Sequence, residues 1–161
     1  TSHSYYCLDD TGSIEHHELT LASDRYAVIN DEMIPTGELR SVAGSPFDFR
    51  EKQALGKLRS TDPQLILANG FDHAFTLQDH ASPAALLFSP ESNIEMAVWT
   101  DLPALQLYTG NHLDKPYSAV CLESQHLPNA CNQPGFKAPV IRPDDTYRTY
   151  TRFDFRLRTS C

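Results

Sequence analysis

Short runs in which apolar and polar residues alternate dominate the chain, and alternation of period two predicts half-buried β-strands. Leu19 and Leu21 share a face, as do Ile94, Met96 and Val98, and then Leu105 and Leu107. The longest such run is the last. Tyr147, Thr149, Thr151, Phe153, Phe155 and Leu157 alternate with Arg148, Tyr150, Arg152, Asp154, Arg156 and Arg158. It predicts a strand that buries the aromatic face and presents arginines outward. Between the runs lie turn-forming groups: Thr11-Gly12, Pro35-Thr36-Gly37, Ala43-Gly44-Ser45-Pro46, Asn69-Gly70, Thr109-Gly110-Asn111 and Arg142-Pro143-Asp144-Asp145. Only Phe49 to Ser60 has helical spacing, through Ala54, Leu55 and Leu58, and Gly56 weakens it. The expectation is an all-β domain, mostly antiparallel, of two packed sheets.

Composition narrows the function classes. The 161 residues are 40% hydrophobic and 21% charged, with a mean hydropathy of -0.41, as in an ordinary globular domain. The longest apolar run, Ala84 to Phe88, is far short of the ~18 residues that span a bilayer. A net charge of -8 and a pI near 5.2 leave no basic surplus to replace counterions on nucleic acid or an anionic membrane. Neither is an expected partner. Cys7, Cys121, Cys131 and Cys161 form no C-x-x-C pair, so the reading is reduced thiols in a cytoplasmic protein rather than a zinc site. No glycine loop for nucleotides is present.

Chemistry concentrates on a few polar positions. In Val120 to Gln125, alternation puts Val120, Leu122 and Ser124 on one face and Cys121, Glu123 and Gln125 on the other. A mid-strand carboxylate flanked by apolar residues is costly to bury unpaired, though a solvated sheet face would also explain it. Gln106 and Tyr108 form a similar polar face on the preceding strand, and two such strands could floor a sugar-binding cleft. His3 and Tyr5 share a face, and Asp72-His73 follows Gly70 in what reads as a turn. His16-His17 is rejected as a metal pair, because neighbours on a strand face opposite ways. Cys121 lacks a basic partner nearby in sequence, which counts against a nucleophilic or ligating thiolate.

Six ordered motifs then bring a family into view. They are H-S-Y-Y (His3 to Tyr6), I-P-T-G-E (Ile34 to Glu38), V-A-G-S-P-F-D-F-R (Val42 to Arg50), G-F-D-H-A-F (Gly70 to Phe75), L-Q-L-Y-T-G-N (Leu105 to Asn111) and C-L-E-S-Q-H-L-P-N-A (Cys121 to Ala130). With N-Q-P-G-F (Asn132 to Phe136) they run through almost the whole chain, which resembles the aldose 1-epimerases, or galactose mutarotases. The resemblance implies a galactose-mutarotase-like antiparallel β-sandwich (a supersandwich) that interconverts the α and β anomers of free aldohexoses. It implies Glu123 as general base, His3 as general acid, and Asp72 and Gln106 as binders of sugar hydroxyls. Carboxylate and imidazolium would act from opposite sides of the sugar, with no metal or cofactor. Ser2, Tyr6, Leu107 and Ala119 depart from the residues common in the family.

Family members run to roughly twice this length, so residues 1–161 resemble the C-terminal half of one domain. The expectation is a complementary N-terminal chain, needed for activity. Two other readings stay open: a hexose-6-phosphate mutarotase, which would want an arginine cluster, and a non-catalytic carbohydrate-binding protein on the same fold.

Overall fold

The computed structural model describes residues 1–56, 60–78 and 81–159. Two five-stranded antiparallel sheets carry the chain. The strands are β1 (Glu18–Leu21), β2 (Arg25–Ile29), β3 (Pro35–Ser41), β4 (Gln53–Ala54), β5 (Asp72–Thr76), β6 (Ala85–Phe88), β7 (Ile94–Thr100), β8 (Ala104–Tyr108), β9 (Cys121–Gln125) and β10 (Thr151–Leu157). One sheet runs β10-β7-β6-β1-β4 and the other β3-β2-β5-β8-β9. Their inner faces meet in one apolar core, where Leu19, Leu87, Met96 and Val98 of the first sheet pack with Tyr26, Phe75, Leu105 and Leu122 of the second. The alternation predicted at β1, β7, β8 and β9 thus reports the buried face correctly.

Three local expectations are corrected. Among the described residues of Phe49 to Ser60, the expected α-helix does not form. Phe49 is buried in irregular chain, Gln53–Ala54 pairs with β1, and Leu58 lies outside the described residues. The helix is α1, Pro63–Ala68, set by an Asp62 side chain that accepts the Gln64 N–H and ended by Asn69 in the left-handed region. Pro35-Thr36-Gly37 opens β3 rather than forming a turn, with the irregularity absorbed between Ala27 and Ile29. Asp72 and His73 are not in a turn either: the stop at Asn69-Gly70 ends α1, and β5 begins at Asp72.

The last strand is shorter and less buried than its pattern predicts. Residues 140–150 form no regular element, and among the described residues β10 is an edge strand paired only with β7. Phe153 packs on the core, but Phe155 is 55% exposed and Leu157 67%, because within the described residues the facing sheet does not reach over them. The outward arginines are not all free: Arg156 and Arg158 both close on the buried carboxylate of Glu95. No helix among the described residues is long and apolar enough to cross a membrane.

Candidate active site

The outer face of the second sheet holds the site, and register assembles it. Asp72 lies opposite Tyr108, and Tyr108 opposite Cys121. In the next row Ala74 lies opposite Gln106, and Gln106 opposite Glu123. The small Ala74 leaves room beside Gln106, whose Nε2 donates diagonally to Asp72 Oδ1 at 2.6 Å. Gln125 Nε2 donates in turn to Gln106 Oε1 at 3.3 Å. These bonds fix which way the Gln106 amide points.

His3 arrives from outside the sheet. Residues before β1 run along the β9 edge, where Tyr6 and Val120 exchange both backbone hydrogen bonds at 2.9 Å. Period two then sends Tyr6 inward onto Phe153 and turns Tyr5 and His3 to the polar face. His3 Nε2 stands 3.4 Å from Glu123 Oε1. The arm is pinned further along by Asp9, which accepts from Ser89 Oγ at 2.5 Å and bonds His16 Nε2 at 2.9 Å. Leu8 N–H donates to His17 Nε2 at 2.9 Å. His16 and His17 occupy the turn before β1, so both rings meet at Asp9 instead of facing opposite ways.

The four residues singled out from sequence therefore line one open cleft of about 400 Å3. Tyr5 and Tyr108 belong to it as well, with His112, Gln125 and Pro128 at its rim. His112 has no sequence signal beyond following Thr109-Gly110-Asn111. Burial raises the Glu123 carboxyl above the ordinary glutamate value, the His3 ring opposes this, and the charge of Asp72 adds to it. Burial likewise raises Asp72, against the Gln106 hydrogen bond and the fields of His112 and His3.

Among the described residues, two clusters have donor sets that a metal ion could use, and neither is arranged for one. In His3, Cys121 and Glu123, the two nitrogens of one ring face different partners. In Cys7, Asp9 and His17, the His17 Nε2 lone pair already accepts the Leu8 N–H.

The Thr109-Gly110-Asn111 turn positions Asp72. Asn111 Nδ2 donates to the carbonyls of Ala68 and Phe71 at 2.8 and 3.1 Å, and Thr109 Oγ1 accepts the Phe71 N–H at 3.0 Å. Gly70 lies at φ +128, and a Cβ there would stand 2.6 Å from Asn111 Oδ1. We expect Gly70→Ala to lower stability by about 2 kcal/mol or more in urea denaturation, through strain and loss of that latch. An unchanged midpoint would show that the latch does not hold Asp72 in place.

A family model described as aldose 1-epimerase matches residues 1–154. The chain belongs to the aldose 1-epimerase family. It is 36% identical to a galactose mutarotase of Sus scrofa over 172 residues, covering 98% of this chain and 49% of that protein. It is 33% identical to an aldose 1-epimerase of Escherichia coli K12, covering 96% of this chain and 49% of that one. The chain spans about half the length of the curated relatives it matches. Among solved structures, a GalM/aldose epimerase homologue from C. elegans superposes with a TM-score of 0.88 at 25% identity, covering 98% of this chain and 50% of that one. A galactose 1-epimerase from Lactobacillus acidophilus gives 0.77 at 31% identity, covering 94% and 46%. The aldose 1-epimerase member described here is thus a galactose-mutarotase-like β-sandwich.

Proposed function

We propose that this chain carries the proton-transfer groups of an aldose 1-epimerase acting on free aldohexoses such as glucose and galactose. The observation that carries the reading is the meeting of His3 and Glu123 at 3.4 Å in a cleft floored by the Asp72–Gln106 pair. Glu123 takes the proton of the C1 hydroxyl while His3 gives one to the ring oxygen. The C1–O5 bond breaks, the aldehyde rotates about C1–C2, and closure on its other face reverses both transfers. Protons balance within the pair. Asp72 and Gln106 hold hydroxyls of the sugar in a fixed orientation.

The contact between His3 and Glu123 leaves no room for a pyranose between them, so the sugar has to part them. Glu123 is held in β9, so the half-exposed ring of His3 is what turns, carrying Nε2 away from the carboxylate. Polarimetry of fresh α-D-galactose or α-D-glucose tests the reading. Relaxation well above the buffer rate is expected. A sugar that binds by calorimetry without accelerated relaxation would replace catalysis with carbohydrate binding.

The raised carboxyl of Glu123 sets the pH dependence. The base works ionised, so kcat/KM should fall on the acid side at a pH above the ordinary glutamate value. Because Asp72 contributes to that rise, Asp72→Asn should move the acid limb down while raising KM. A limb that stays put in the variant removes Asp72 from the electrostatics of the base.

A phosphate-recognising variant of this chemistry is not favoured. Among the described residues no arginine or lysine lines the cleft, and Arg156 and Arg158 are committed to Glu95 on the other sheet. A complementary N-terminal chain of the same domain, covering the exposed Phe155 and Leu157, fits both the open face of β10 and the half-length match to the relatives. Native mass spectrometry of active material is expected to find more polypeptide than 18.1 kDa. Full activity in an 18.1 kDa monomer overturns the need for a partner.

A further inference from the structure

Cys121 sits on the same face of β9 as Glu123, fully buried, with its Sγ 3.5 Å from His3 Nδ1. The His3 ring is therefore gripped at both nitrogens: Nδ1 by the thiol and Nε2 by the carboxylate at 3.4 Å. Its faces and edges meet Tyr5 at 5.1 Å and Tyr108 at 5.9 Å between centroids. We propose that Cys121 is the positioning residue of His3, a neutral thiol that anchors Nδ1 and leaves Nε2 as the one nitrogen that exchanges protons in the cleft. This rests on the acid/base reading given above.

The chemistry of sulfur suits that role. The thiol sulfur can accept weakly from the Nδ1–H, which the ring keeps whether or not Nε2 carries a proton. It therefore follows His3 through both protonation states and favours neither. A carboxylate in its place would hold the imidazolium and keep the proton from leaving. A thiolate would do the same, but burial, with the charges of Glu123 and Asp72 added, pushes the Cys121 thiol up to about 12. Of the other titratable groups around the ring, Glu123 and Asp72 are acidic, Tyr5 and Tyr108 are phenolic, and His112 lies across the cleft. None of these is placed at Nδ1; the only partner that His3 Nδ1 has among the described residues is Cys121.

Three variants in the complete protein test the proposal, each read by NMR titration of the His3 ring and by polarimetry. Cys121→Asp should raise the His3 pKa by about one unit or more and carry the alkaline limb of the rate with it. Cys121→Ala should lower kcat by about ten- to a hundredfold through a freed ring, with KM little changed. Cys121→Ser, which can still donate and accept, should recover most of that loss. An unmoved His3 titration in Cys121→Asp, or a wild-type kcat in Cys121→Ala, overturns the proposal. The titration needs no turnover. If it moves as expected while wild-type protein shows no mutarotation, the contact stands and the acid/base reading is what fails.

Discussion

Glu123→Gln should lower the mutarotation rate by about a hundred- to ten-thousandfold, the range that a positioned general base contributes. The same substitution should leave the fold intact and raise its thermal midpoint slightly. Glu123 is a buried carboxylate whose pKa lies above its ordinary value, so its ionised form is disfavoured in the folded state relative to the unfolded chain. A neutral amide of the same shape removes that penalty. Rate and stability should therefore move in opposite directions, which separates loss of a base from loss of structure. Polarimetry and a thermal melt on one preparation measure both. A variant with a near-normal rate sinks the assignment of the base; a variant with a collapsed melt would instead make Glu123 a structural group.

Acid should unfold this protein earlier than its carboxylates alone require. His73 is buried among aromatic rings, 4.8 Å from Phe47 and 5.8 Å from Tyr26, and burial lowers its pKa to about 3. Its Nδ1 accepts the Asp72 N–H, and its Nε2 has no hydrogen-bond partner among the described residues. His17 is lowered to about 4, chiefly by burial, with Asp9 opposing and His16 adding. Both rings are neutral in the fold and titrate near the ordinary histidine value once unfolded. The unfolded state therefore binds more protons below that value, and stability falls with falling pH through the whole window down to the folded values. Each ring costs about 1.4 kcal/mol for every pH step of one below its unfolded value of about 6.5, so at pH 5 the two together remove roughly 4 kcal/mol. Burial alone would raise Asp9, but hydrogen bonds from Ser89, Thr11 and His16 hold it well below the ordinary carboxylate value. Its contribution is present at neutral pH and is lost only at still lower pH. Urea midpoints measured from pH 8 to 5 should drop steeply, and His73→Phe should flatten about half of that slope. A flat profile over this range would show that the rings are not buried neutral.

Alternation in the sequence was enough to place Glu123 with Cys121 and Gln125 and to oppose them to Val120 and Leu122. It was enough because β9 is paired regularly along its length. Asp72 was harder. Asn69-Gly70 is a turn signal, but it serves here as the end of α1, which the apolar spacing of residues 49–60 did not locate. The contact of Cys121 with His3 spans most of the chain and depends on the Tyr6–Val120 bridge, so no local pattern contains it. The exposure of Phe155 and Leu157 shows a further limit: alternation says which residues share a face, not whether anything covers that face.

Asp72, Gln106, Tyr108, Cys121 and Glu123 occupy alternate places on three strands whose intervening places, such as His73, Leu107 and Leu122, fill the core. Slipping one strand by a single residue would exchange a cleft side chain for a core side chain, so drift in the floor is blocked by folding itself. Tyr5, His112 and Pro128 lie outside the ladder and bear no such double duty. Under the proposed function, these three positions are the ones that can change to suit a different sugar without shifting the register of the sheet.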